Sequence, residues 1–330
     1  MSISDVDLKI IRCLQRNARA TNKSIASATG VTEQTVAGRI RSMSDGHVMR
    51  VMAQRDLQAA GYRLLAFASI FVLGGSLKRV ASQLTAIEEA FSVVLCPGSP
   101  ELIVTFVAPD AATLDGMMQR VHAIFGVVSV ELTTAEEITT FRLGSGNLRT
   151  DVGPPLPLDR QDSLDEAIIA LLVENGRQSN REIARRINIS EGSVRIRLKR
   201  LAERRAMRLG VVCEPDRIGY AAGAYVYLDG SADVLAMIVD EMAEEEIVSF
   251  AAVTDGAHGA LLFCVAASEA LIAALCVDRL RAISGVDQLI YRPLLRSLKH
   301  RYDYVFVGDD KHQRNWHYVP EVATKRKRLS

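Results

Sequence analysis

Cationic, amide and hydroxyl side chains are concentrated in two short segments, residues 32–50 and 190–208. Glutamine can pair with an adenine edge and arginine with a guanine edge, whereas further arginines and lysines hold phosphates. We therefore predict that both segments contact double-stranded DNA. The candidate residues are Thr32, Gln34, Thr35, Arg39, Arg41 and Arg50 in the first segment and Ser190, Ser193, Arg195, Arg197, Lys199, Arg200 and Arg208 in the second. Arg50 and Arg208 are predicted phosphate clamps.

The predicted third helix of the second segment, up to Arg205, carries more positive charge than that of the first segment, up to Asp45. Its cations are Arg195, Arg197, Lys199, Arg200, Arg204 and Arg205, against Glu191 and Glu203. The first has Arg39 and Arg41 against Glu33 and Asp45, with a helix-weakening Gly38. We predict that the second segment supplies most of the phosphate-driven affinity and that the two segments read different half-sites. The alternative is that both are solvated faces of small helical domains.

Each segment belongs to a unit that occurs twice in the chain. The stretch from Asp7 and the stretch from Asp165 align with a constant offset of 158 residues (165 − 7), until one extra residue enters near Gly285. In both copies, apolar residues at helical spacing predict three short helices with a tight turn before the third, which is a helix-turn-helix unit. The predicted helix caps are Ser4, Asn22 and Thr32 in the first copy and Ser163, Asn180 and Ser190 in the second.

A mixed pattern of strands and helices follows each helical unit. Its order, βαββαβ, predicts a ferredoxin-like domain, so that the fold class is α+β. The last helix of the second copy is predicted over 269–284. The predicted organisation is a first helix-turn-helix domain (1–58), a first ferredoxin-like domain (59–142), a Gly- and Pro-rich linker (143–162), a second helix-turn-helix domain (163–216), a second ferredoxin-like domain (217–300) and a tail (301–330).

This arrangement resembles the leucine-responsive/asparagine (Lrp/AsnC) family of transcriptional regulators. The resemblance covers nearly the whole chain apart from the linker and the tail. It implies a DNA-binding regulator whose ferredoxin-like domains form homo-oligomers and sense a small molecule. It is carried in the first copy by Asp7, Ile25-Ala26, Val31-Thr32, Val36, Arg39-Ile40, Gly61, Gly98 and Gly126-Val127, and in the second by Asp165, Ile183-Ala184, Ile189-Ser190, Val194, Arg197-Leu198, Gly219, Gly256 and Gly285-Val286.

The resemblance also implies an amino-acid site at the turn between the second and third strands, where the family has a glycine three positions before an acidic residue. The first copy offers Gly98, Ser99 and Glu101 at this turn. The second offers Gly256 and His258, without a carboxylate at the matching position. The expected partner is an amino-acid-like effector, and the alternative for each copy is a plain hairpin turn.

A catalytic branch of the same family, the siroheme decarboxylases, resembles two fused or paired units of this kind. That branch is characterised by a stretch of the form HNYxRxH near the second and third strands. Residues 93–100 contain neither histidine nor arginine, and residues 252–258 contain one histidine and no arginine. A tetrapyrrole with many carboxylates needs several cations around it. The sequence therefore predicts that the chain is not an enzyme and has no cofactor. The alternatives are a siroheme-decarboxylase-like enzyme built on the same duplicated fold and a metabolite sensor that does not bind DNA.

The composition is that of a folded protein without a membrane segment: 48% of residues are hydrophobic, 24% are charged, and the formal net charge is +1. We expect a cytoplasmic location. The five cysteines form no CxxC pair, and we predict neither a metal site nor disulfides. His312 and His317 are a weak metal pattern, and the basic run Lys325–Arg328 suits either DNA-backbone contact or solubility.

Overall fold

A computed structural model describes residues 3–141, 162–204 and 206–305. The chain divides into two compact units. The described residues of unit 1 are those up to 61, 162–218 and 302–305, and those of unit 2 are 62–141 and 219–301. Arg205, the predicted linker up to residue 161 and the tail beyond residue 305, with its histidines and basic run, lie outside the described residues.

The elements follow one another in the same order in both copies. The first copy contains α1 (Asp5–Arg16), α2 (Asn22–Thr29), α3 (Glu33–Asp45), β1 (Met49–Asp56), β2 (Leu64–Val72), α4 (Leu77–Ala86), β3 (Ala90–Leu95), β4 (Leu102–Ala108), α5 (Ala111–His122) and β5 (Val127–Phe141). The second contains α6 (Ser163–Glu174), α7 (Asn180–Arg186), α8 (Glu191–Glu203), β6 (Met207–Cys213), β7 (Ala222–Gly230), α9 (Ala232–Met242), β8 (Val248–Gly256), β9 (Ala260–Ala266), α10 (Glu269–Ala274), β10 (Val286–Pro293), β11 (Arg296–His300) and β12 (Tyr304–Val305). The α+β prediction is confirmed.

Three of the predicted helix caps are displaced by one residue. Thr21 rather than Asn22 caps α2, Ser179 rather than Asn180 caps α7, and Asp162 rather than Ser163 caps α6. In each case the residue before the predicted cap also has a side-chain oxygen, and that oxygen accepts a backbone N–H of the first turn. Sequence pattern alone does not decide between two adjacent capping residues.

Unit 1 contains the three helices of each copy and a ribbon of two antiparallel strands that the sequence pattern did not predict. β1 and β6 pair in a register that places Met52 opposite Gly210, its equivalent in the other copy. Every residue of β1 except Arg50 is buried, so the strand lacks the alternating polar pattern that signals a half-buried strand. β12 extends this ribbon by pairing parallel to β1.

Unit 2 contains one sheet made from the strands of both copies. β5, which is 15 residues long, pairs with β2 along its first half and with β8 along its second half. β10 pairs with β7, and two residues later β11 pairs with β3. The backbone N–H groups of Leu294 and Leu295, between β10 and β11, also bond to the β7 and β3 sides. The sheet therefore closes on itself as a barrel.

Different kinds of side chain lie on the outer and the inner face of the barrel wall. Small and aliphatic residues such as Ala66, Ala68, Ala224 and Val226 pack under the helices of unit 2. The interior holds aromatic side chains from both copies, including Phe67, Tyr225, Phe250 and Phe263, in mutual ring contact. The helix predicted over 269–284 is regular only to Ala274, and it continues as π-helical and 3₁₀ turns.

Candidate functional sites

The third helices, α3 and α8, each begin at a hydroxyl cap. The Thr32 hydroxyl accepts the backbone N–H of Thr35 at 3.1 Å, and the Ser190 hydroxyl accepts that of Ser193 at 3.1 Å. The side chain of Thr35 also lies 2.9 Å from that of Thr32. The side chains of three predicted contact residues, Thr32, Thr35 and Ser190, therefore stabilise the starts of these two helices. This fixes the direction in which the exposed side chains of α3 and α8 point.

Arg39 of α3 is bound to the first helix of its own domain. Its Nη1 donates to both carboxylate oxygens of the buried Asp7 and to the hydroxyl of Ser4, each at 3.0 Å. Burial acts to raise the pKa of Asp7, but hydrogen bonds from Ser4 and Arg39 outweigh it and hold that pKa below its usual value. Arg39 therefore fastens α3 to α1.

The second copy repeats this anchor with an additional arginine. Arg197 donates to Asp165 and Asp162 at 2.7 Å each, and Arg200 donates to the other oxygen of Asp165. The hydrogen bonds that Arg197 donates to these carboxylates raise its pKa. Part of the excess charge of α8 is thus neutralised inside its own domain, and this tempers the predicted asymmetry between the copies.

The side chains that α3 and α8 leave to solvent differ in kind. Gln34 and Arg41 are exposed on α3. Arg195 and Lys199 are exposed on α8, together with Ile196, which is 69% exposed. An apolar side chain in this position can contact a thymine methyl group. The two surfaces thus offer a mixed polar set and a cationic-apolar set.

The two predicted phosphate clamps lie on the ribbon, outside the helices. Arg208 on β6 donates through Nε and Nη2 to the Oε1 of Gln54 on β1, at 3.0 and 2.8 Å. Burial lowers the pKa of Arg208 to about 9, although Asp56 acts against this shift. This placement does not support a clamp at Arg208, because the guanidinium lies inside the unit. The equivalent position of Gln54 in the other copy is Val212, which cannot bind Arg50 in the same way.

Arg50 lines a groove of about 420 Å³ beside the C-terminal half of α3. Arg41 and Arg177 line the same groove, together with the carboxylates of Asp45 and Glu174. Two cations of the first copy and one of the second therefore surround one concave surface, and the two from the first copy are among the predicted contact residues. The acidic pair makes this surface mixed in charge.

A pair of reciprocal contacts joins the two helix-turn-helix domains. Arg19 donates to the side-chain oxygen of Asn180 at 3.0 Å, and Arg177 donates to that of Asn22 at 3.0 Å. Arg19 and Arg177 are equivalent in the repeat, as are Asn22 and Asn180. Sequence reasoning missed this contact, although the repeat offset that relates the four residues could have suggested it.

The two predicted effector turns make different contacts. Glu101 accepts the backbone N–H of Val72 at 2.8 Å, so that its carboxylate closes the turn onto β2. The neighbouring Gly98 and Ser99 are exposed. In the second copy, the φ angle of Gly256 is +107°, and an added Cβ would come within 2.4 Å of the Leu132 carbonyl oxygen.

His258, the other predicted effector residue, is buried inside the barrel. Its Nδ1 lies 3.1 Å from a carboxylate oxygen of Asp229, and its ring centroid lies 4.8 Å from that of Tyr227. Neither Asp229 nor Tyr227 was among the predicted site residues. The signal available was weak, because both residues follow the ordinary alternation of β7.

Within the described ranges, no group of three histidine, cysteine, aspartate or glutamate side chains is placed to hold a metal ion. The buried cysteines are unpaired as disulfides, and burial raises the pKa of the Cys213 thiol to about 12. No helix among the described residues is long and apolar enough to cross a membrane.

Comparisons with known proteins identify a helix-turn-helix domain in both copies and relatives that align with part of the chain. The model of the AsnC-type helix-turn-helix domain matches residues 3–44 and 162–202. The HTH-type transcriptional regulator FL11 of Pyrococcus abyssi is 30% identical over 144 residues, which are 42% of this chain and 95% of the relative. The HTH-type transcriptional regulator LrpA of Mycobacterium tuberculosis is 28% identical over 128 residues, which are 38% of this chain and 85% of that protein. The relatives thus have about the length of one copy.

A solved structure resembles the chain over both copies. The siroheme decarboxylase NirDL, in complex with an iron-uroporphyrin III analogue, superposes with a TM-score of 0.61 over 90% of this chain and 93% of its own, at 16% identity. The likeness is one of fold. It overturns the prediction that the chain is not an enzyme, which rested on the absence of a histidine- and arginine-rich stretch near the second and third strands, because an enzyme has the same duplicated fold.

Proposed function

Since this chain belongs to the Lrp/AsnC family of transcriptional regulators and carries the family's unit twice, we propose that it binds DNA sequence-specifically through both α3 and α8. The observation that carries the proposal is the reciprocal contact of Arg19 and Arg177 across the two helix-turn-helix domains. Helix-turn-helix dimers read half-sites about one helical turn apart. Here one chain supplies both readers, so that their spacing is built into the fold.

The proposed target is asymmetric. Gln34 on α3 suits an adenine, whereas Arg195 and Lys199 on α8 suit guanine or phosphates. Two identical half-sites would present the same bases to two different helices. A site with two different halves therefore fits the exposed side chains better than a palindrome. A protein that regulates transcription in this way works in the cytoplasm of a bacterial or archaeal cell.

The regulated step of the proposal is a change in assembly. The closed barrel of unit 2 contains both copies, and further chains would associate through its outer surface to give a homo-oligomer. An amino-acid-like effector would bind one assembly better than another and so shift the equilibrium between them. Exposed apolar side chains on the outside of unit 2, such as Phe125 and Val277, are compatible with such contacts.

Selection of bound sequences from a random DNA pool, with and without amino acids, tests the proposal. The expected result is an enriched site with two unequal halves. Gln34→Ala should reduce discrimination in one half on the order of ten- to hundredfold. Lys78→Ala, which removes an exposed cation of α4, is the matched control and should change nothing. The proposal is contradicted if no sequence is enriched, or if the affinity for DNA does not fall as the salt concentration rises.

A second candidate is decarboxylation of a siroheme-like tetrapyrrole. The observation that favours it is the likeness to NirDL over nine-tenths of the chain, whereas the regulator FL11 aligns with 42% of the chain at a time. Against it stands the absence of histidine and arginine from residues 93–100. Anaerobic titration with siroheme, followed by absorption spectroscopy and by mass analysis of the tetrapyrrole, decides the matter. A spectral shift with loss of carbon dioxide supports this candidate, and an unchanged spectrum excludes it.

A further inference from the structure

Three polar atoms inside the barrel of unit 2 have no hydrogen-bond partner among the described residues: Nε2 of His258, and Nε and Nη1 of Arg292. The phenol oxygen of Tyr227, beside them, has no partner at an ordinary hydrogen-bond distance, and a longer hydrogen bond to the Ser69 hydroxyl acts on its pKa. Tyr227 is 1% exposed, His258 is 9% exposed, and the side chain of Arg292 is 10% exposed. Buried polar groups in folded proteins are nearly always paired. Three neighbouring exceptions indicate a site that something else occupies.

The side chains of Arg292 and His258 both lie against the ring of Tyr227. The guanidinium carbon of Arg292 lies 5.5 Å from the ring centroid of Tyr227, and the ring of His258 lies 4.8 Å from the same centroid. They come from three separate parts of the second copy: Tyr227 from β7, His258 from the turn before β9, and Arg292 from β10. The pairing of β7 with β10 on one side and with β9 on the other brings them together.

The first copy lines the opposite wall with small or apolar residues. The repeat offset relates Tyr227 to Ser69, His258 to Pro100 and, after the one-residue insertion, Arg292 to Thr133. The Ser69 hydroxyl is close enough to Tyr227 to offset part of the rise that burial causes in the pKa of the phenol. The cluster therefore exists on one side only, and it amounts to one set per chain rather than one per copy.

The charges in the cluster define what it can bind. Arg292 donates to Glu131 at 3.2 Å through Nη2, and this leaves two guanidinium nitrogens, Nε and Nη1, which can only donate. The Tyr227 hydroxyl can also donate. These donors favour an anion, and a carboxylate is the commonest partner of a buried arginine.

His258 adds a hydrogen-bond acceptor. Asp229 accepts the backbone N–H of Gly259 at 3.1 Å and, as a carboxylate, can only accept from Nδ1 of His258. The proton of a neutral His258 ring is therefore on Nδ1, and its Nε2 presents a lone pair. A ligand that faces this atom must donate a hydrogen bond.

We propose that Arg292, Tyr227 and His258 form one binding site per chain for a small carboxylic acid that carries an amino or hydroxyl group next to its carboxylate. Arg292 and Tyr227 bind the carboxylate, and the amino or hydroxyl group donates to Nε2 of His258. This inference deepens the sensing part of the proposed function. It moves the site from the turns at Gly98 and Gly256 into the barrel interior.

Three isosteric acids test the site in the full-length chain without DNA: L-alanine, L-lactate and propionate. They differ only in an ammonium, a hydroxyl or a hydrogen next to the carboxylate. Calorimetry and ligand-observed NMR should show that L-alanine or L-lactate binds at least about tenfold more tightly than propionate, because propionate leaves Nε2 of His258 unpaired. Equal binding of all three, or of none up to 50 mM, overturns the proposal.

Variants separate a binding role from a structural one. Tyr227→Phe keeps the ring and should weaken the preferred acid by about tenfold. Arg292→Met should abolish binding, and it should lower the melting temperature no more than Glu131→Gln does, because the ion pair with Glu131 is the one hydrogen-bonded contact that it removes from the protein itself. Arg279→Met, at a surface ion pair with Glu241 and Glu245, is the control that should bind normally.

The variants still decide for or against the site if one of them fails to fold. Unfolding of Arg292→Met would show that the guanidinium is structural, and the site would then be rejected. Unchanged binding in Tyr227→Phe has the same consequence. Because the readout uses no DNA, a chain that binds an acid but no operator would contradict the proposed regulator and leave this site standing, and the reverse result would do the opposite.

Discussion

Arg19 and Arg177 make the same contact on opposite helix-turn-helix domains: each donates to the asparagine side chain at the start of the other domain's second helix, at 3.0 Å. Arg177 also donates to the carbonyl oxygens of Ala18 and Ala20. Both guanidinium groups are partly withdrawn from water, which lowers the pKa of each. A pair of domains fastened in this way behaves as a dimer within one chain.

We predict that Arg177→Ala weakens binding to a complete two-half site by roughly tenfold and leaves binding to a single half-site unchanged. The loss arises because the two readers no longer hold a fixed spacing, and part of the effective concentration is lost. Arg19→Ala should act in the same direction but less strongly, since Arg19 makes one of these hydrogen bonds where Arg177 makes three. Gel-shift titrations with whole and half sites measure the difference.

Arg181→Ala is the control for this pair, because Arg181 is exposed on α7 near the same contact. It should behave like the parent protein on both DNA lengths. Equal losses on whole and half sites in Arg177→Ala would mean that the arginine contacts DNA directly, and the fixed-spacing interpretation would fail.

Asp7 provides a prediction about acid stability. Its pKa is lower in the folded chain than its ordinary value of 3.8. Such a carboxylate contributes stability that is fully present above the unfolded pKa and is lost as the pH falls through the folded pKa. Asp7→Asn should therefore destabilise unit 1 at neutral pH by about 1–2 kcal/mol, the usual cost of losing a helix-start contact. The difference from the parent protein should shrink below about pH 4.

Urea unfolding at pH 7 and at pH 3.5, followed by circular dichroism, measures this effect. Asp5→Asn, which changes an exposed carboxylate in the same helical turn, serves as the control and should be nearly neutral. A constant difference between Asp7→Asn and the parent at both pH values would show that ionisation of Asp7 does not stabilise the fold.

The elements within each copy were predictable because their signals are local. Hydroxyl and carboxylate caps, apolar stripes such as Val36 and Met43, and the turn at Gly30 lie within a few residues of one another. The family resemblance followed from the order of these elements, and it is confirmed. The cap errors at Thr21 and Ser179 are one-residue displacements of correct helices.

Contacts between the copies were not predictable in the same way. The ribbon places Arg208 beside Gln54, residues 154 positions apart, so that a cation expected at the surface is half-buried and bonded to the neighbouring strand. Tyr227 and Arg292 meet because β10 pairs with β7, a pairing of strands far apart in the chain that the pattern within each strand does not specify. Such pairs depend on how two copies of one pattern pack together, and the pattern within each copy carries no information about that packing.

Gly256 yields a prediction about the junction of β5 and β8. Its positive φ angle and its approach to the Leu132 carbonyl both exclude a side chain. Gly256→Ala should lower the free energy of unfolding by about 1–2 kcal/mol for the backbone conformation and by about 1–3 kcal/mol more for the steric overlap. Thermal unfolding of the full chain provides the measurement.

Gly219→Ala isolates the first contribution, that of the backbone conformation. Gly219 also has a positive φ angle, +102°, but an added Cβ would meet nothing within 4 Å. This variant should therefore lose only the conformational part. If both variants had the same melting temperature, the close approach of β8 to Leu132 would not limit the residue at position 256.

The last prediction concerns the charge asymmetry between the two reading helices. Arg197 and Arg200 are paired with Asp165, so that Arg195 and Lys199 are the exposed cations of α8 best placed for phosphates, against Arg41 on α3. Each phosphate contact contributes about −0.9 to the slope of log affinity against log salt. Arg195→Gln combined with Lys199→Gln should therefore reduce the magnitude of that slope by about 2, and Arg41→Gln should reduce it by about 1. Fluorescence anisotropy on one labelled site between 50 and 300 mM potassium chloride measures both slopes. A larger change in Arg41→Gln would reverse the assignment, and α3 beside its groove would then be the main phosphate-binding element.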